Sequence, residues 1–228
     1  MIATIKDPVQ RLRLSAVPWS SYDALLRAFD GRRLRITYDQ GELEITTISG
    51  EHEYYKTLLR RMIEMVAFVL HIPIKGGGSL TFRREILERS LEPDECHWIR
   101  NAKRVHIKEY NPETDLPPDL ALEIDIMTSS VKRMPIYAAL RVPEVWRFDQ
   151  SGLTIHHLGR DRQYRVKNRS CAFPFLRLDE VRTFLGKAET IDDADWLQAI
   201  HDWARDTILP LYTTAATKKG NSGKKPRD

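Results

Sequence analysis

Glu123 and Asp125 lie two residues apart within the apolar stretch LALEIDI. In an extended strand this spacing puts both carboxylates on one face, while Leu122 and Ile124 point to the other. Two carboxylates side by side raise each other's pKa, so the arrangement is costly unless a cation compensates it. Mg²⁺ suits one or two carboxylates together with water and phosphate oxygens. Asp94, in the segment LEPDE, would supply a third carboxylate from a neighbouring strand.

The acidic pair is also compatible with a solvated face of an edge strand, and its spacing alone leaves both interpretations open. Three further residues are candidates for accessory roles: Glu42 beside a predicted turn, and His52 and Glu53 at the start of a predicted helix. Simpler alternatives exist for each. Glu42 suits a surface position, His52 a hydrogen-bonded position at the edge of the core, and Glu53 a first helical turn, where the helix dipole favours a carboxylate.

Basic residues form a second candidate feature. In GRDRQYRVKNR, residues 159–169, the cations Arg165, Lys167 and Arg169 alternate on one predicted strand face, with Tyr164 beside them. Such a row of cations could follow nucleic-acid phosphates with little sequence preference. A solvated strand face accounts for the same pattern, so a role in DNA contact stays a hypothesis.

The elements that must position these residues follow the order helix, three strands, helix, strand. The first helix is predicted at residues 51–70, where Ser49 caps the start and apolar residues recur every three or four positions. Extended segments are predicted at residues 72–82, 95–100, 120–126 and 142–149, with a short helix at 134–140 before the last of them. Strands joined through a helical crossover imply a mixed α/β sheet.

Flanking segments extend this core at both ends. Alternating apolar residues around Asp39-Gln40-Gly41 predict an N-terminal hairpin, and alternation over residues 151–178 predicts a C-terminal β-ribbon, followed by a helix at 192–209. We therefore divide the chain into an N-terminal helical extension (1–30), a core domain with its terminal ribbon (31–178), a C-terminal helical segment (179–212) and a disordered basic tail (213–228).

Composition argues against several classes of protein. The two cysteines, Cys96 and Cys171, match no ligand spacing, which argues against a disulfide framework or a zinc ribbon and suits a reducing compartment. The longest apolar run, residues 65–70, is far shorter than the ~18 residues of a membrane span, and the N-terminus lacks the apolar region of a secretory signal. These features predict a cytoplasmic protein. The net charge of +4 does not indicate nucleic acid, since five Lys or Arg and one Asp in residues 218–228 account for it.

An ordered set of motifs resembles a known family. Pro93-Asp94, followed about thirty residues later by Glu123 and Asp125, is similar to a divergent PD-(D/E)XK nuclease signature. The surrounding motifs are the Gly41-Glu42-Leu43 hairpin, His52 at the head of a long helix, PPDLALEIDI at 117–126 and IYAALRVPEVWRFD at 136–149. Together they resemble a bacterial family of putative restriction endonucleases within that superfamily, over roughly residues 30–150.

The resemblance implies a restriction-endonuclease-like core and the hydrolysis of DNA phosphodiester bonds with Mg²⁺, for which Mn²⁺ can substitute. It implies that Asp94 and Glu123 bind the metal, with the main-chain carbonyl of Ile124 as a further ligand. The metal would activate a water molecule and stabilise charge on the phosphodiester. RNA stays open as an alternative substrate, and a homodimer is expected of enzymes that cut both strands.

One position departs from the family's pattern. The superfamily's usual Lys lies two residues after the Glu, where this chain has Asp125. Either the cation has moved to the following helix, with Lys132 the nearest candidate and Arg133 beside it, or Asp125 is an additional metal ligand. Lys132 is also explained as a solvated residue at a helix start. The missing Lys leaves two further hypotheses: an inactive nuclease-fold module that binds nucleic acid or a protein partner, and a hydrolase of small phosphate esters.

Overall fold

Two β-sheets and the helices packed on them make up residues 10–32, 34–126 and 131–214, which the computed structural model describes. The strands are β1 (Arg11–Leu14), β2 (Leu34–Asp39), β3 (Glu42–Thr47), β4 (Lys75–Gly76), β5 (Phe82–Arg84), β6 (Arg89–Leu91), β7 (Glu95–Trp98), β8 (Leu120–Asp125), β9 (Glu144–Asp149), β10 (Gly152–Leu158) and β11 (Tyr164–Lys167). The helices are α1 (Trp19–Ala28), α2 (Gly50–Val69), α3 (Arg133–Ala139), α4 (Leu178–Lys187) and α5 (Asp193–Trp203), and a π-helical turn, Ala204–Ile208, continues α5.

The larger sheet has the strand order β11-β10-β9-β8-β7-β4. Only β8 and β9 pair in parallel among these described strands, and the other neighbours are antiparallel. A parallel pair needs a crossover connection, which α3 supplies. The succession α2, β4, β7, β8, α3, β9 confirms the predicted order of helix, three strands, helix and strand in a mixed sheet.

The smaller sheet has the order β1-β3-β2-β6-β5 and contains the predicted hairpin. Ile36 pairs with Ile45 across β2 and β3, and the turn between them takes positive φ at Gln40 and Gly41. Sequence analysis did not predict β1. Its four residues, Arg-Leu-Arg-Leu, do alternate, but the stretch is short and Leu12 and Leu14 stay exposed, so no buried face marks it as a strand.

The main core lies between α2 and one face of β8. The α2 stripe of Leu59, Met62 and Val66 is fully buried and belongs to one cluster with Leu122 and Ile124. Burial of each such side chain contributes about 1.5–3 kcal/mol. The apolar face of β8 is therefore fixed against α2, and its carboxylates face the opposite side, as the alternation predicted.

A second core covers the other face of the sheet, where Trp98 packs near the glycine-rich turn. A Cβ atom on Gly77 would lie 2.6 Å from the Trp98 ring and 2.7 Å from Cys96 Sγ, so only glycine fits there. The Gly77 N–H donates to the Cys96 carbonyl at 2.9 Å. Gly77 thus allows the backbone of this turn to pack closely against the core.

One prediction for the C-terminal part is wrong in its extent. The ribbon predicted over residues 151–178 consists of β10 and β11 and ends at Lys167, so Arg169 lies beyond the strand, in an isolated bridge with Arg177. Helix α4 falls within the predicted C-terminal helical segment, for which sequence analysis had assigned only the later helix. None of the described helices combines the length and apolarity that crossing a membrane requires.

Candidate active site

Asp94 is fixed against β8 by two main-chain hydrogen bonds. Its N–H donates to the Leu122 carbonyl at 3.0 Å, and its Oδ2 accepts the Ile124 N–H at 2.5 Å. The residue is buried and immediately precedes β7. This leaves Oδ1 directed at side chains from the smaller sheet and from α2.

Glu123 is buried on β8 and receives two contacts from α3. The Tyr137 hydroxyl donates to its Oε2 at 2.6 Å, and the Arg133 Nε lies 2.6 Å from its Oε1. Burial acts to raise the pKa of Glu123, but the charges of Arg133 and Arg35 and the Tyr137 hydrogen bond hold the pKa below its ordinary value. The carboxylate is therefore ionised in a fully buried site.

Arg35 of β2 lies between the two carboxylates. Its guanidinium forms an ion pair with Asp94 Oδ1, and its Nη1 lies 3.5 Å from Glu123 Oε1. Sequence analysis missed this residue because Arg35 and Thr37 alternate with apolar Ile36, which reads as a solvated face. That face of β2 instead looks across to β8, so the polar positions line the space between the sheets.

His52 joins the same cluster from the first turn of α2. Ser49 Oγ accepts the His52 N–H at 3.2 Å, which confirms the predicted helix cap. The ring Nε2 lies 2.7 Å from Asp94 Oδ1. Burial, together with the charge of Arg35, lowers the pKa of His52 to about 4, so the ring is neutral at neutral pH. Glu53 lies 3.4 Å from His52 Nδ1 and pairs with Lys56 at 2.6 Å.

Arg133 is the α3 cation that reaches Glu123. Its guanidinium also donates to the Thr37 hydroxyl and, at 2.5 Å, to the Glu92 carbonyl, so it ties α3 to the smaller sheet. Lys132 is exposed just before α3 and lines a cavity of about 300 Å³ with Glu123 and Asp125. No ion pair of Lys132 occurs within the described parts of the chain. The sequence hypothesis named Lys132 first and placed Arg133 only beside it.

Asp125 shares its face of β8 with Glu123, as the strand period predicted. It pairs with Arg147 of β9 at 2.8 Å, and Arg147 also lies 3.1 Å from Asp149. Both β8 carboxylates border a cavity of about 50 Å³, which we call the inner cavity, together with Arg35 and His52. Asp94, Glu123 and Asp125, all among the described residues, do not place three ligand oxygens that all lie within 4.8 Å of one another.

Other predicted residues lie away from this cluster. Glu42 is bound by Arg13 and Ser15, each at 3.0 Å, on the outer side of the hairpin. Strand β11, with Arg165 and Lys167, is the edge strand of the larger sheet and is separated from β8 by β10 and β9. Arg165 pairs with Asp161 at 2.6 Å.

A larger depression, which we call the outer groove, opens on Asp94. Its volume is about 650 Å³, and Arg35 and His52 separate it from the inner cavity by lining both. Its cationic lining residues, besides Arg35, are Arg27, Arg32 and Lys56. Arg32 lies 5.6 Å from the Phe29 ring, which is also part of the lining. The structure thus associates basic and aromatic groups with Asp94 that sequence analysis did not single out.

The class of protein follows from the family to which the chain belongs. The family model of Uma2, described as putative restriction endonuclease, matches residues 19–182, and the chain belongs to this family. Membership confirms the resemblance and supports a nuclease function, with nucleic acid as the substrate. Among solved structures, the chain is similar to a putative nuclease belonging to DUF820 from Anabaena variabilis ATCC 29413, at 11% identity and a TM-score of 0.41, over 74% of this chain and 90% of that one. A search of curated proteins finds no match.

Proposed function

We propose that the protein is an endonuclease that hydrolyses DNA phosphodiester bonds with Mg²⁺. The observation that carries the proposal is the meeting of Asp94 and Glu123 at one guanidinium, that of Arg35, between the outer groove and the inner cavity. A carboxylate just before β7 and one on β8, held by main-chain and α3 contacts, are the arrangement from which a divalent cation can be bound. Family membership supports the same function.

The donor atoms fit Mg²⁺. Asp94 and Glu123 offer carboxylate oxygens, which a hard divalent cation prefers. Glu123 Oε1 is buried and has ion-pair contacts but no hydrogen bond of good geometry, and it borders the inner cavity, whose 50 Å³ is room for a cation and a water molecule. Asp125 is a candidate additional ligand. When bound, Mg²⁺ would supply Lewis-acid stabilisation of charge on the phosphodiester.

The arginines set a condition on metal binding. Arg35 contacts Asp94 and lies near Glu123, so it neutralises the same oxygens that Mg²⁺ would take. We infer that Arg35 must turn toward the outer groove when the metal binds, where its guanidinium can bind a phosphate in bidentate fashion. Arg133 keeps its contact with Glu123 and supplies the buried positive charge that the missing Lys would otherwise provide. Lys132, at the rim, is left with a solvated role.

The outer groove is the proposed path of the DNA strand. Its exposed cations, Arg27 and Arg32, can contact phosphates, and Phe29 offers an apolar ring beside them. The β11 cations Arg165 and Lys167, and Arg169 beyond them, are three strands from Glu123 and would at most extend the contact. RNA stays an alternative substrate. A homodimer is proposed for double-strand cutting, which sedimentation of the protein with duplex DNA tests.

The test is cleavage of supercoiled plasmid and single-stranded DNA by tag-free protein with Mg²⁺, Mn²⁺ or EDTA. Asp94→Asn and Glu123→Gln remove one charge each at nearly constant shape, and each should lower the cleavage rate on the order of a hundredfold or more. Glu42→Gln is the matched control, because this exposed carboxylate lies outside the site, and it should cut as the wild type does. Cleavage that survives both site variants, or that needs no divalent cation, would contradict the proposal.

The inactive-module hypothesis rests on one observation, the neutralisation of both carboxylates by arginines. If Arg35 never releases Asp94, the site binds no metal, and the outer groove acts only as a binding surface. Manganese EPR separates the two hypotheses directly. An active site should bind Mn²⁺ in the wild type and lose it in Asp94→Asn, whereas an inactive module should bind DNA with the same affinity in EDTA and cut nothing.

A further inference from the structure

Glu144, at the start of β9, is a fully buried carboxylate at the end of the sheet opposite to Asp125 and Asp149. Its Oε1 accepts the Trp146 indole N–H at 2.5 Å, and its Oε2 accepts the Cys171 and Ala172 N–H groups at 2.6 and 2.9 Å. These bonds hold the carboxylate rigidly. They leave Oε1 with an unused lone pair.

Among the residues that the structure describes, no Lys or Arg forms an ion pair with Glu144. In the described parts of the chain, the side chain within 4 Å of Glu144 that can carry positive charge is His157, whose Nε2 lies 3.7 Å from Oε2. A buried carboxylate is normally paired with a cation. The nearby Arg100 is engaged elsewhere, since its Nε binds Asp119 at 2.9 Å.

His157 and Cys171 complete a group of potential ligands. One ligand atom from each of Glu144, His157 and Cys171 lies within 4.8 Å of the others. The His157 Nε2 is buried and has no hydrogen-bond partner. A buried ring nitrogen without a hydrogen-bond partner, beside a buried carboxylate and a thiol, points to a ligand that all three side chains can bind.

We propose that Glu144, His157 and Cys171 bind a Zn²⁺ ion. A thiolate, an imidazole and a carboxylate are the ligands that Zn²⁺ takes in proteins, and the soft thiolate disfavours Mg²⁺ or Ca²⁺. Tetrahedral ligands about 2.0–2.3 Å from the ion lie about 3.3–3.8 Å apart, and the His157–Glu144 pair already has this separation. Water fills the fourth position, because Cys171 is exposed.

Binding converts the Cys171 thiol to a thiolate and releases one proton to solvent, with no change of oxidation state. The ion would tie β9 and β10 to the segment that follows β11, since Cys171 lies in that segment. This site is distinct from the proposed nuclease site and does not depend on it. Sequence analysis missed it because its ligands come from three separate segments with no motif spacing.

The test is a Co²⁺ titration of tag-free, full-length wild type, followed by displacement with Zn²⁺. A thiolate-to-cobalt absorption band that saturates at one equivalent is expected, and this band arises only from a cysteine ligand. Cys171→Ser should abolish the band, and His157→Ala should weaken Zn²⁺ binding at least tenfold. His156→Ala is the matched control, because that ring is directed to Thr154 at 2.9 Å, and it should bind as the wild type does.

Thermal unfolding gives a second readout. Zn²⁺ should raise the Tm of the wild type and of His156→Ala by a few degrees and leave the Tm of Cys171→Ser unchanged. Glu144→Gln is unsuitable as the sole test, since it also disturbs the hydrogen bonds to Cys171 and Ala172. Absence of the cobalt band from the wild type would overturn the proposal. Survival of the band in Cys171→Ser would also overturn it, because the ligand would then not be Cys171; the other cysteine, Cys96, is fully buried in the core.

Discussion

Glu123 and Glu144 are both fully buried on the parallel pair β8 and β9, yet the molecule stabilises them in different ways. Glu123 is surrounded by charge, with Arg133 at 2.6 Å, Arg35 at 3.5 Å and a tyrosine hydroxyl. Glu144 is held by neutral N–H groups of the indole and main chain. A metal at Glu123 must compete with arginine, whereas a metal at Glu144 would supply the missing charge. The difference teaches that burial of a carboxylate alone does not indicate what it binds.

The largest expected effect on stability is at Glu123, the carboxylate that is surrounded by charge. Arg133→Leu leaves Glu123 buried beside a more distant cation and removes the ties to Thr37 and Glu92. We expect a loss of about 3–5 kcal/mol in the free energy of unfolding. Urea unfolding at pH 7 measures it. The neighbouring Lys132→Ala, an exposed position, should change stability by less than about 0.5 kcal/mol. Equal effects of the two variants would refute the distinct role of Arg133.

A smaller loss of stability is expected at Glu144. Glu144→Gln keeps the shape of the side chain but presents an NH₂ group to N–H donors, so at least one buried donor loses its acceptor. We expect about 1.5–3 kcal/mol of destabilisation in the absence of Zn²⁺. Urea unfolding with EDTA present measures this loss. If it exceeded that of Arg133→Leu, main-chain hydrogen bonds would stabilise a buried carboxylate more than arginine does.

The pH dependence of stability should reflect the burial of His52 in the charged cluster around Asp94 and Glu123. The pKa of His52 is lowered to about 4, so the unfolded chain, with an ordinary value near 6.5, takes up a proton more readily than the folded protein. The contribution of His52 to stability is therefore greatest above pH 6.5 and falls as the pH drops toward 4, by about 2 kcal/mol between pH 7 and pH 5. Urea unfolding at both pH values should show this loss in the wild type and a smaller one in His52→Gln. An undiminished loss in the variant would assign it to other groups.

The smallest expected effect is on DNA affinity and concerns the cations of the outer groove and of β11. Arg32→Ala with Lys56→Ala removes two cations of the outer groove, and Arg165→Ala with Lys167→Ala removes two from β11. Each phosphate contact lowers the slope of log affinity against log salt by about 0.9 for duplex DNA. We expect the groove variant to lose about two contacts and the β11 variant fewer, as fluorescence anisotropy over a range of salt would show. The reverse order would move the DNA path to β11.

The order of the helices and strands was predictable because it depends on local sequence patterns. The same holds for which face of β8 carries its carboxylates. Ser49 caps α2, apolar residues recur along it, and Glu123 and Asp125 share a face, each as the sequence indicates. Arg35 was not predictable in this way. A polar residue alternating with apolar ones on a hairpin looks solvated in any single sequence, and only the packing of one sheet against another directs it inward.

Arg133 and the Glu144 group show two further limits. Arg133 stood next to the expected cation, but one residue along a helix turns a side chain by about 100°, so the choice between Lys132 and Arg133 depends on how α3 sits on β8. Glu144, His157 and Cys171 come together only because β9, β10 and the segment after β11 meet at one end of the sheet. The spacing of these three residues along the sequence therefore does not predict that they lie close together.

The hydrogen bond from Arg133 to Thr37 joins residues 96 positions apart, whereas Tyr137 and Glu123 are only 14 apart. Closing a long loop costs chain entropy before any contact repays it, so distant pairings form later in folding. We therefore expect Glu123 to meet its partners from α3 while the chain is still assembling the crossover. On the same argument, the contact between α3 and the smaller sheet should form afterwards, so that the acidic site gains its full set of charged contacts late in folding.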